Sequence, residues 1–186
     1  DNYTLFDKLA ISYLGKTSYS GDLFKNTKIK DGLETIKSED KLAAAYVMLS
    51  QGTAFMNGGQ EFLRTKRGNE NSYDKSNSKA SSINGIDLSF KEKYSDVYNT
   101  YKGLIALRKA NPDAFGANKD ASAETVSSGV TKYTTGNFCV YFNATTSAVS
   151  INASGYANVV DVTSGAPTDK EIVSSVPAKS FVILKK

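Results

Sequence analysis

The residues best suited to chemistry sit together in one stretch, Gln51–Tyr73 (QGTAFMNGGQEFLRTKRGNENSY). It carries amides at Asn57, Gln60, Asn69 and Asn71, cations at Arg64, Lys66 and Arg67, a carboxylate at Glu61 and an aromatic ring at Tyr73. Amides, arginine and tyrosine are the groups that hold sugar hydroxyls, which both donate and accept hydrogen bonds around a ring with an apolar face. Gln51–Met56 reads as a short apolar strand broken by Asn57-Gly58-Gly59, with a long polar loop after it. A strand opening into such a loop is how an α/β barrel builds a site at the carboxyl ends of its strands. An ordinary strand-to-loop turn with solvated polar groups reads the same way. Histidine is absent and there is one cysteine, Cys139, inside an apolar stretch. Serine–histidine and cysteine–histidine catalysis and histidine-ligated zinc are therefore excluded on this chain, and acid–base work would fall to carboxylates. Glu61 follows the strand directly and is the carboxylate placed to serve as an acid.

The elements that must position this stretch can be read from both sides of it. Leu5, Leu9 and Ile11 suit one face of a short helix, and residues 15–32 read as a polar surface loop. A helix is expected over 33–49, with its start near Ser38 before Glu39-Asp40, because acidic residues favour the amino end. Its body, LAAAYVMLS, is apolar on more than one face and expects cover on several sides. Residues 74–85 are rich in Ser, Asn and Lys and read as exposed. Val97, Tyr101, Leu104 and Leu107 recur at helical spacing over 94–110, and Asn111-Pro112 ends that helix. From about residue 117 the character changes to short runs of Val, Thr, Tyr and Ser. Strands are expected at 124–126, 130–135, 138–143, 147–152, 158–162, 171–174 and 180–184, forming a small β-sandwich.

The 186 residues, 40% apolar and 23% charged, describe a globular chain of one or two domains. A net charge of +4 with dispersed lysines argues against nucleic acid as a partner. No apolar run approaches the ~20 residues of a membrane span. The first part has a strand with no partner for its edges. The expectation is that the chain begins inside a larger domain and that its β part folds alone more readily.

Asp1-Asn2-Tyr3-Thr4-Leu5, LAAAYVMLSQGTAFMNGGQEF, RTKRGNENSY and YKGLIALRKANPDAF resemble the carboxyl-terminal part of type I pullulanases, debranching members of the α-amylase family of glycoside hydrolases. The resemblance runs over most of residues 1–115. It implies α/β plus all-β architecture: residues 1–116 as the C-terminal remnant of a (β/α)8 barrel, and 117–186 as the antiparallel β-sandwich that follows it. Residues 38–49, 52–57 and 94–110 would be the seventh helix, eighth strand and eighth helix. It further implies that Asp1 is a transition-state stabiliser, and that Asn2, Arg64, Asn69, Asn71 and Tyr73 bind substrate. Lys66 and Arg67 are read as solvated. A carboxylate such as Asp1 can accept two short hydrogen bonds from neighbouring hydroxyls, which strengthen as the sugar ring flattens. The family's nucleophile and general acid lie upstream, so Glu61 is read as structural and this chain is expected to be inactive alone. The implied partners are an α-glucan, the amino-terminal part of the same enzyme, and a second copy through exposed barrel faces. No organic cofactor is implied, a bound calcium in the parent stays open, and so does location, with an extracellular or cell-surface place favoured for the parent. Leu88 departs from the pattern, standing where a tryptophan is expected. A non-catalytic carbohydrate-binding or structural module remains the alternative.

Overall fold

The computed structural model describes residues 2–75, 82–117 and 120–186. The chain divides into two compact units, residues 1–40 with 56–98, and residues 41–55 with 99–186. Both long helices cross that division in sequence.

The first unit opens with α1 (Leu5–Tyr13), capped by Thr4, whose hydroxyl accepts from the Asp7 N–H. Its buried face is Phe6, Ala10 and Ile11 together with Asp7, so the expected stripe of Leu5, Leu9 and Ile11 is rotated by about one position. The 15–32 segment is not a plain loop. It contains a 3-10 turn (Leu23–Lys25) and α2 (Thr27–Asp31), each started by a side-chain cap, Asp22 and Asn26. Leu23 and Ile29 are fully buried. Phe24 stacks between Phe6 at 4.3 Å and Tyr94 at 5.5 Å and meets the edge of Phe90 at 5.2 Å. This ring cluster is the apolar centre on which the unit's polar loops are seated. Helix α3 runs Leu33–Leu49, so Ser38 is no cap; its hydroxyl donates to the Glu34 carbonyl one turn back. Lys37 reaches both Glu34 at 2.9 Å and Asp96 at 3.0 Å. Burial works against its charge, but those two carboxylates raise its pKa on balance.

Residues 51–59 form no strand. The segment is extended without a ladder partner, and Phe55 is 84% exposed. Strand character depends on a neighbouring strand to accept its hydrogen bonds, and among the described residues none lies alongside. After α4 (Phe90–Lys93), α5 spans Ser95–Ala110 as expected, followed by α6 (Pro112–Phe115), which uses the proline at its first turn.

In the second unit β1 (Ser122–Ser127), β2 (Val130–Thr135), β3 (Phe138–Asn143), β5 (Asn158–Asp161), β6 (Thr168–Lys170) and β8 (Ser180–Lys185) form one antiparallel sheet in the order β1-β2-β3-β8-β5-β6. A two-stranded ribbon, β4 (Val149–Ser150) with β7 (Ser175–Val176), completes the strands. The expected strand at 171–174 falls between β6 and β7. The chain takes its ladder at polar Thr168–Lys170 instead, an exposed edge strand that shows no apolar alternation. β3 is central and wholly buried. Cys139 and Tyr141 pair with Leu184 and Val182 on one face, where they pack with Val176 of the ribbon and with Ile151, Tyr156 and Val159. The other face carries Phe138, which meets Phe115 at 5.0 Å, and Phe142, which stacks on Tyr46 at 4.0 Å. The sheet is thus covered by the ribbon on one side and by helical segments on the other.

Candidate functional site

In the first unit a concavity of about 520 Å³ is lined by Asn2, Tyr3, Asn57, Arg64, Lys66, Tyr73 and Asn84, with Thr4 and Ser72. Of the residues singled out in the sequence, it brings together Asn2, Arg64 and Tyr73; Asn69 and Asn71 do not line it. Asp1 lies outside the described residues. Tyr73 is 82% exposed, so its ring is free to present a face.

Each wall of the concavity is held by a specific bond. Asn2 turns its side chain back to accept from the Tyr3 N–H at 2.8 Å. The Arg64 guanidinium donates to Asn57 Oδ1 at 2.8 Å, to the Gly58 carbonyl at 3.2 Å and to the Asn84 carbonyl at 3.1 Å. Arg64 thus lines the site while tying three points of its wall together. Glu61 accepts from the Gly59 N–H at 3.0 Å, which is a loop-closing role in keeping with the structural reading. Ser72 donates to Asn84 Oδ1 at 2.7 Å, and the Asn84 amide returns to the carbonyls of Ser72 and Lys75. Asn84 therefore holds the chain at Ser72 and at Lys75. Nothing in the sequence marked it, because an asparagine in a Ser/Asn/Lys-rich run looks solvated.

Lys66 is the clearest correction. It is 5% exposed, and its ammonium donates to the carbonyls of Asn2 at 2.7 Å and Glu70 at 3.0 Å. A lysine stem can be buried while its head finds carbonyl acceptors, and residue type alone does not reveal this. Burial, with the Arg64 charge, lowers its pKa; Asp7 and Glu70 work the other way. The second residue missed is Asp7, wholly buried behind this wall, where its carboxylate accepts from Thr65, Lys66 and Gly68. Burial raises its pKa, and those hydrogen bonds oppose the rise.

An array of amides, a guanidinium and an exposed tyrosine around an open hollow is suited to a polyhydroxyl ligand. The chain is 37% identical over 112 residues, 60% of its length, to pullulanase of Bacillus subtilis strain 168. The structure superposes over its whole length on pullulanase from Bacillus acidopullulyticus with a TM-score of 0.76 and 28% identity. The chain resembles pullulanases. A pullulanase from Paenibacillus barengoltzii in complex with maltohexaose and α-cyclodextrin gives a TM-score of 0.72, again over the whole chain, at 28% identity. Over 68 residues the chain is also 43% identical to isoamylase of Pseudomonas amyloderamosa. No family model matches. The chain spans 13% of the Bacillus subtilis pullulanase, and 23% and 28% of the two solved pullulanases.

Proposed function

We propose that the chain is the carboxyl-terminal part of an α-1,6-glucan debranching glycoside hydrolase and contributes one wall of its sugar cleft. The observation that carries this reading is the concavity at Asn2, Arg64 and Tyr73, in a chain whose solved relatives include pullulanases bound to maltohexaose and maltotetraose. The parent enzyme hydrolyses branch linkages in pullulan, starch dextrins or glycogen with retention, through a glycosyl-enzyme intermediate. Asp1 binds the distorted sugar's hydroxyls as a transition-state stabiliser. Asn2, Arg64 and Tyr73 hold and stack the ring; Asn69 and Asn71 act from the loop beside the hollow. The nucleophile and general acid come from outside these 186 residues, so the chain alone is inactive. Residues 1–116 take the place of the closing part of a (β/α)8 barrel and 117–186 that of its β-sandwich. The unpaired 53–56 segment, with Phe55 bare, supports a role for further strands beside it.

The competing reading is a carbohydrate-binding module built on the β unit. Its tyrosines offer little for stacking: Tyr141 is buried with its hydroxyl on the Asn152 carbonyl, and Tyr133 accepts from Gln51 at 3.1 Å. Incubation with pullulan and a maltotriose titration followed by NMR decide between them. The expected result is no reducing sugar, with shifts at Asn2, Arg64 and Tyr73. Hydrolysis that survives Asp1→Ala refutes the proposal, and shifts confined to residues 120–186 favour the module.

A further inference from the structure

Asp7 stands on the first turn of α1, where a carboxylate is ordinarily solvated, yet it is 0% exposed. Both of its oxygens are used on a turn nearly sixty residues away. Oδ1 accepts from the Thr65 hydroxyl; Oδ2 accepts from the Lys66 N–H at 2.8 Å and the Gly68 N–H at 3.2 Å. Two amides separated by one residue converge on one oxygen where the backbone between them turns sharply, as a left-handed residue makes it do. Arg67 accordingly has φ 56° and Gly68 φ 69°. A Cβ on Gly68 would stand 2.3 Å from the Tyr19 carbonyl oxygen, so that position admits glycine alone. The Thr65 hydroxyl also accepts from the Arg67 N–H at 2.8 Å, which locks the strained residue from its other side.

The turn held in this way sends the Lys66 side chain inward, to the carbonyls of Asn2 and Glu70. One ammonium therefore ties the segment that carries Asn2 to the loop that leads to Tyr73. We infer that Asp7 is a positioning residue for the concavity: through the Thr65–Gly68 turn and Lys66 it fixes Asn2 against the Glu70–Tyr73 loop. That the positioned groups serve a glucan rests on the function proposed above; the tether itself does not.

The test uses the full chain, isotope-labelled, with Asp7→Asn, Lys66→Met and the double variant. Asp7→Asn keeps the shape but can turn a donor toward the two N–H groups. Hydrogen bonds to a charged group are strong enough that amide protection at Lys66 and Gly68 should fall about tenfold or more. The Asn2 and Glu70 carbonyl carbon shifts should move to their Lys66→Met values. The double variant should add nothing further, as expected for residues acting in series. Unmoved Asn2 and Glu70 carbonyls in Asp7→Asn, or additive effects in the double variant, overturn the inference. If Asp7→Asn does not fold, Thr65→Val removes one donor to Asp7 together with the acceptor for the Arg67 N–H; smaller displacements of the same two carbonyls support the tether, and displacements only elsewhere refute it. Maltotriose separates this from the functional reading. A silent titration of the unsubstituted chain removes the glucan and leaves the carbonyl shifts to decide the tether. A normal titration with immobile carbonyls in the variants removes the tether and leaves the glucan.

Discussion

Tyr94 is 3% exposed among Phe24 and Phe90, and its hydroxyl has no hydrogen-bond partner among the described residues. A buried hydroxyl left unpaired costs about 1–3 kcal/mol, so removing it need not destabilise the fold. Burial first, and then the Asp22 charge, push the phenol up to about 12. The unfolded chain titrates near ~10, so the folded state holds the proton more tightly. The resulting stability is complete below pH ~10 and is lost as pH rises from there through about 12, because the unfolded chain ionises first. Tyr94→Phe is expected to melt at the same temperature as the parent chain or higher at pH 7. It should also show a shallower loss of stability between pH 10 and 12 in urea titrations. Tyr156, likewise pushed up to about 12 by burial and by Cys139, keeps its own share of that decline in both proteins. A clear drop in melting temperature at pH 7 would show that the hydroxyl has a partner in solution.

At the scale of elements, α5 packs backbone to backbone against the segment after β5 in the second unit. A Cβ on Gly103 would lie 2.0 Å from the Val162 carbonyl oxygen. Alanine gains about 1 kcal/mol of helix propensity over glycine, but forcing extra volume into a packed contact costs about 1–3 kcal/mol. Backbone is the obstacle here, so the clash should win, and Gly103→Ala is expected to lower the urea midpoint. An unchanged or raised midpoint would mean that α5 can shift freely. The helical spacing of Val97, Tyr101, Leu104 and Leu107 announced α5, yet nothing announced why residue 103 must be glycine. That pattern recurs through the chain. α3, α5 and β3 were legible because long periodic or continuously apolar runs bury predictable faces; β2 was legible from its β-branched and aromatic residues between turn signals. α2 was hidden, since Asp22 and Asn26 read as loop residues until their caps are seen and Ile29 is a lone apolar anchor. The 51–56 strand was misread because ladder formation depends on a neighbour, which a local apolar run does not supply. At the site, amides, Arg64 and Tyr73 were visible by type; Asp7, Lys66 and Asn84 were not, since their work is done through burial and through partners distant in sequence.

For the molecule as a whole, the change of character near residue 117 suggested a β part able to stand alone. The compact unit that contains those strands also takes in residues 41–55 and 99–117. Phe138, Val140, Phe142 and Ile183 share one buried face of the sheet, and Phe115 and Tyr46 pack on it. Gln51 adds polar closure, donating to the Ala114 carbonyl at 2.8 Å and to Thr135 at 3.3 Å. Burying a large apolar side chain is worth about 1.5–3 kcal/mol, so baring four of them forfeits about 6–12 kcal/mol. Domains are stable by only about 5–15 kcal/mol. The ribbon of β4 and β7 covers the opposite face and cannot make up the difference. Residues 117–186 expressed alone are therefore expected to be unfolded or self-associated, with a broad thermal transition and concentration-dependent sedimentation. On this reckoning the unit, being discontinuous, is not expected to survive a cut at the point where composition changes, even with every strand retained. A monomeric 117–186 fragment with a cooperative transition near that of the intact chain would show that the helical cover contributes little. The ring contacts of Phe115 and Tyr46 would then be incidental to stability.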